Sequence, residues 1–114
     1  MMRRIMMAQH AVRINPDLII NSAGLQATKI VSGKSAVLTA KVAGDADSIV
    51  VLDADGNPVE FKHVVSNVEN GITTFRAVWT VTGHLGDILI FTVIVYDTLG
   101  RRSVNTVQVT VTIK

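Results

Sequence analysis

An all-β domain is what this chain predicts, and three observations predict it. Apolar and polar residues alternate at period two through most of the sequence, and no window of helical length repeats its apolar residues at i, i+3, i+4 and i+7. Valine, isoleucine and threonine supply roughly a third of the residues, a composition suited to pleated, half-buried surfaces. Turn signals recur between the apolar runs at the short intervals of a sandwich or barrel.

The elements follow in chain order. The region Leu18 to Val31 predicts one or two weaker strands, interrupted by Asn21 to Gly24. SAVLTAKV alternates through Ala36, Leu38, Ala40 and Val42, and SIVVLD and PVEFKHVV add two further strands. In TTFRAVWTV, Phe75, Ala77, Trp79 and Val81 share one face, while Thr74, Arg76, Val78 and Thr80 share the other. DILIFTVIVYD is apolar on both faces from Ile88 to Tyr96, as expected of a central strand covered on both sides. TVQVTVTIK closes the set, with Val107, Val109, Val111 and Ile113 opposite Thr106, Gln108, Thr110 and Thr112.

That makes about seven antiparallel strands. Gly33-Lys34, Gly44-Asp45, Asp55-Gly56-Asn57, Asn70-Gly71, Gly83 to Gly86 and Leu99-Gly100 punctuate them. Neither proline breaks a central strand: Pro16 precedes the strands and Pro58 opens a strand just after a turn.

Bulk properties narrow the function. With 114 residues and 12.3 kDa, the chain has one domain's length, and 48% hydrophobic against 18% charged residues is the balance of a folding sequence. The pI of 9.3 reflects scattered basic residues and few aromatics, which argues against nucleic acid as a partner. With no cysteine, a disulfide framework, a thiolate metal site and a cysteine nucleophile are excluded. No apolar run reaches a membrane-spanning length, so membrane insertion is not expected.

The opening MMRRIMMAQHA fails as a signal peptide because its apolar stretch is too short. All four methionines fall within the first seven residues, which marks the opening as unlike the rest. Residues 1–14 are therefore expected to be a flexible tail or linker, and residues 15–114 the folded domain.

The stretch VVLDADGNPVEF offers the most site-like residues, Asp53, Asp55 and Asn57 around Gly56. They are weak calcium candidates. A twelve-residue calcium loop starting at Asp53 needs glycine sixth and glutamate twelfth, whereas glycine comes fourth and the twelfth residue is Val64. VIVYDTLGRRSV repeats the pattern, so that Asp97 and Gly100 correspond to Asp53 and Gly56, but with Leu99 and two arginines instead of a second acid. The shared feature is a hairpin turn in which aspartate bonds backbone amides and glycine takes positive φ. Asp53, Gly56, Asp97 and Gly100 are thus expected to be turn-forming residues.

Other resemblances to sites are weaker. SGKS at Ser32 to Ser35 echoes a phosphate loop, but position 28 is threonine and a strand follows. Trp79 shares a face with Phe75, Ala77 and Val81, which makes it a core anchor and not a sugar platform. His63 alternates with Phe61 and Val65 and is expected at the rim of the core, while His84 lies in a glycine-rich loop beside Asp87. No ligand spacing joins the histidines, no nucleophile elbow is present, and no acid pair stands out on one strand face beside a candidate nucleophile. Neither a catalytic residue nor a cofactor is expected.

Taken together, VLDADGNPVEF, FRAVWTV, GDILIFTVIVYDTLGRRS and VQVTVTI resemble bacterial immunoglobulin-like domains, over roughly Leu18 to Ile113. The early penultimate-strand tyrosine of some members is missing here, where Ile88 or Ile90 stands, and Trp79 lies in a later strand than the antibody tryptophan. The resemblance implies an immunoglobulin-like β-sandwich. It also implies a non-catalytic accessory role as spacer, adhesion or interaction module in a larger bacterial cell-surface or secreted protein, or in a phage structural protein. Its partners would be neighbouring domains or another protein, with a polysaccharide as the alternative. A carbohydrate-binding module and a calcium-stabilised adhesion repeat are the rival functions.

Overall fold

A computed structural model describes residues 13–114. The expectation for the opening residues falls mostly on 1–12, outside the described residues. Eight strands form, and among the described residues there is no helix: β1 Ile19–Leu25, β2 Lys29–Ile30, β3 Ser35–Ala43, β4 Ser48–Leu52, β5 His63–Glu69, β6 Ile72–Thr80, β7 Ile88–Tyr96 and β8 Val107–Ile113. They make two four-stranded sheets, one ordered β1-β3-β6-β5 and the other β2-β8-β7-β4.

The count corrects the expected seven, and the eighth strand corrects the expected all-antiparallel pairing. The region Leu18 to Val31 divides between the sheets, because β1 pairs with β3 while β2 crosses over to run parallel to β8. Thr112 N–H donates to Thr28 O at 2.7 Å and Lys114 N–H to Ile30 O at 3.1 Å. So short a pairing leaves little periodic signal in sequence.

The core forms where the inward residues of the two sheets meet. Across β3 and β6 the register sets large against small: Trp79 faces Ala36, Ala77 faces Leu38 and Phe75 faces Ala40. All six are buried, so the alternation of volumes fills one layer without overpacking it. Opposite them stand Ile49 and Val51 of β4, Phe91, Val93 and Val95 of β7, and Val109, Val111 and Ile113 of β8. Trp79 meets Phe91 edge-on at a centroid distance of 5.3 Å and Phe61 at 6.2 Å.

Three expectations change. The strand predicted in PVEFKHVV starts only at His63, since Pro58 to Lys62 carries the chain between sheets. Pro58 still bridges Leu52 of one sheet, whereas Lys62 N–H already donates to Val78 O of the other at 2.8 Å. His63 is exposed on β5 and does not border the core. Finally, β7 is covered on one face only along its first half: Ile88 and Ile90 are 66% and 44% exposed, because no layer of the described residues packs on that side.

Candidate functional site

The two Asp-x-x-Gly hairpins are built alike. In the first, Asp53 Oδ1 accepts the N–H groups of Asp55 and Asn57 at 2.9 and 3.0 Å. Gly56 N–H donates to Asp53 O, Asp53 N–H to Asn57 O, and Gly56 has φ 82°. In the second, Asp97 Oδ1 accepts the N–H groups of Leu99 and Arg101 at 2.9 and 2.8 Å. Gly100 N–H donates to Asp97 O, Asp97 N–H to Arg101 O, and Gly100 has φ 76°. The flanking bridges Leu52–Pro58 and Tyr96–Arg102 correspond too, as do the bonds Val59 N–H to Val51 O and Ser103 N–H to Val95 O. Each aspartate satisfies turn amides that strand pairing cannot reach, and each glycine takes the φ that L side chains avoid.

The turns differ at the second carboxylate oxygen. Asp97 Oδ2 accepts Asn15 Nδ2 at 2.9 Å and Arg101 Nε at 2.8 Å, and the carboxylate is buried. Burial works against its charge and raises the pKa. The Arg101 N–H, the Asn15 amide, the Arg101 guanidinium and the Leu99 N–H together outweigh burial, so the pKa falls from 3.8 to about 2. Asp53 Oδ2 accepts no hydrogen bond from the described residues, and exposed Asn57 stands where Arg101 stands in the other turn.

Around Asp97 the incoming chain is fastened. Arg102 N–H donates to Arg13 O, Asn15 N–H to Arg102 O, and Ile14 forms a parallel bridge with Arg102. Arg13 Nη2 reaches Leu99 O at 3.0 Å, and Asn15 Oδ1 accepts Asp17 N–H. Sequence reading missed this clamp, because its partners lie 82 residues apart. Nearby, Asn105 acts as a strand surrogate: its Oδ1 accepts Ile20 N–H and its Nδ2 donates to Ile20 O, both at 2.9 Å.

Of the calcium candidates, Asp53, Asp55 and Asn57 share one turn, in which Asp53 Oδ1 is taken by the other two residues' amides. Among the described residues no three His, Asp or Glu side chains cluster as metal ligands. SGKS forms a turn, with Lys34 N–H donating to Val31 O, and leads into β3. Asp87 caps its own loop, its Oδ2 accepting His84 N–H at 2.8 Å.

Trp79 is 1% exposed. Its indole Nε1–H is buried without an acceptor among the described residues, a donor that sequence alone does not flag. Beside it, between the Asp53 turn and the start of β7, runs a groove of about 320 Å³, lined among others by Asp53, Asp55, Val59, Ile88 and Phe91.

No family model and no curated protein matches this chain.

Proposed function

We propose that this chain is a non-catalytic, immunoglobulin-like accessory module: a spacer, adhesion or interaction domain of a larger bacterial cell-surface or secreted protein, or of a phage structural protein. The observation that carries the reading is the strand order. A constant-type immunoglobulin sandwich sets strands A-B-E-D against C-F-G. Taking β1, β3, β4, β5, β6, β7 and β8 as A to G turns β1-β3-β6-β5 into A-B-E-D and β8-β7-β4 into G-F-C, with β2 beside G. The bacterial and extracellular setting rests on the sequence resemblance.

The geometry supports a mechanical role. The described chain enters beside Arg102, past the last residue of β7, and leaves at Lys114, beside Ile30 and the first residue of β7. A load applied through those points runs along the strands. Both parallel pairings, Ile14 with Arg102 and β2 with β8, then bear it in shear, where backbone bonds must break together. The work of the domain is to hold neighbouring parts at a fixed separation and orientation, with end loops and edge strands as contact surface.

The rivals lack such support. A sugar platform needs an exposed ring, and Trp79 is buried. A calcium repeat needs a ligand cluster. An amide-correlation NMR titration with calcium and then with soluble polysaccharides tests the reading. The expected spectrum ignores both. Shifts confined to Asp53, Asp55 and Asn57 with calcium, or near Tyr96 with a glycan, would replace it.

A further inference from the structure

β5 is an edge strand with few of the usual protections. It closes the sheet β1-β3-β6-β5, so among the described residues one side of its backbone has no partner strand. Its seven residues, HVVSNVE, hold no proline or lysine and pair with β6 in unbroken register. Among the other sheet ends, β2 has two residues, β4 has five, and β1 carries a register shift between Ile20 and Ser22.

The phase of the unpaired groups follows from the ladder. Val81 N–H donates to Lys34 O, so odd-numbered residues of β6 bond toward β3 and even-numbered ones toward β5. Val78 O indeed accepts Lys62 N–H. With His63 opposite Val78, the residues bonded to β6 are His63, Val65, Asn67 and Glu69. The backbone groups of Val64, Ser66 and Val68 therefore point off the free edge.

The same three residues also place their side chains on the core side of the sheet, opposite Ala77, Phe75 and Thr73. They gain no cover there. Val64 is 45% and Val68 67% exposed, and Val64 and Ser66 border a cleft of about 220 Å³ lined also by Ile49 and Phe75.

We infer that β5 is a self-complementary edge that pairs with β5 of a second copy, antiparallel and centred on Ser66. The sequence is matched to that two-fold axis. Ser66 faces its own copy, Val64 faces Val68 of the partner copy, and the His63 imidazole faces the Glu69 carboxylate at both ends. The residues with free backbone groups are symmetric about Ser66 too, so all three bond across the axis in the hydrogen-bonded phase of an antiparallel ladder. The four valines meet on one face, where cross-strand contact stabilises the pairing. The two copies form one continuous eight-stranded sheet. The pairing needs only the sandwich geometry and holds whether or not the domain serves as a spacer. With a single strand as interface, the dimer is a weak one, with Kd on the order of 0.1 mM.

Residue-resolved amide exchange, together with sedimentation velocity, tests it at low and high chain concentration. At high concentration the amides of Val64, Ser66 and Val68 slow by about tenfold, while those of Val65, Asn67 and Glu69, already bonded to β6, do not change. Ser66→Pro removes an N–H that β6 does not use, and it yields a folded monomer. If that variant loses its fold, charge exchange decides: Glu69→Lys weakens the dimer and adding His63→Glu restores it. A chain that sediments as a monomer throughout, with exchange at Val64, Ser66 and Val68 independent of concentration, overturns the inference. So does a dimer that survives Ser66→Pro in folded protein.

Discussion

Asn15 Nδ2 donates to Asp97 Oδ2 at 2.9 Å, so the chain entering the sandwich is tied to the turn that follows β7. Asp97 also closes that turn through Leu99 and Arg101. One buried carboxylate thus serves the local hairpin and a contact of 82 residues' separation.

Asp97→Asn therefore destabilises the fold far more than Asp53→Asn. The new amide keeps an acceptor for the Leu99 and Arg101 N–H groups but turns its own NH2 toward Asn15 Nδ2 and Arg101 Nε, donor against donor. At Asp53 no second partner exists to be lost among the described residues. Thermal unfolding of the two variants checks the order; equal drops in Tm would refute the distinction.

Acid weakens the wild-type fold through the same group. The pKa of Asp97 is depressed in the folded state, from 3.8 to about 2, so its stabilisation is complete above the unfolded value. It is lost as pH falls from about 4 toward about 2. Urea midpoints across that window show a steeper fall for wild type than for Asp97→Asn. Parallel curves would show that Asp97 does not carry the effect.

Trp79 separates packing from hydrogen bonding. Trp79→Ala opens a large cavity between Phe61 and Phe91 and costs about 3–5 kcal/mol. Trp79→Phe keeps an edge-on ring and removes a buried donor without an acceptor, so its cost stays below about 2 kcal/mol. Urea denaturation measures both. Similar losses for the two variants would mean that Nε1 has a partner after all.

Gly44 is required twice over. It has φ +101°, and a Cβ there would meet Asp17 O at 2.5 Å. Gly33 has φ +90° with open space around it. Gly33→Ala thus incurs only backbone strain, about 1–3 kcal/mol, whereas Gly44→Ala adds a backbone clash to it. A larger shift of the denaturation midpoint for Gly44→Ala is expected; a smaller one would contradict the close approach.

Local features were legible in the sequence and distant ones were not. Period-two alternation in β3, β6 and β8 names the inward residues, because each side-chain direction follows from the pleat alone. The two aspartate turns can be read from their repeated spacing, since every bond within them joins residues at most four apart. The Asn15–Asp97 tie cannot, as no local pattern links an asparagine before the first strand to a late turn. Ile88 and Ile90 misled for a different reason: apolar character reports a preference for burial, and among the described residues no layer satisfies it there. In β5 the alternation is weak, and sequence could not show that its core side lies over an open cleft.

In the proposed spacer role, the sandwich carries load along its strands, from the Asp97 clamp to the end of β8. Single-molecule stretching between Arg13 and Lys114 tests it most directly. One cooperative rupture is expected for wild type, and a lower rupture force for Asp97→Asn, whose entry segment loses its side-chain tie to the turn. Gradual, stepwise peeling at low force, or a rupture force indifferent to Asp97→Asn, would contradict it.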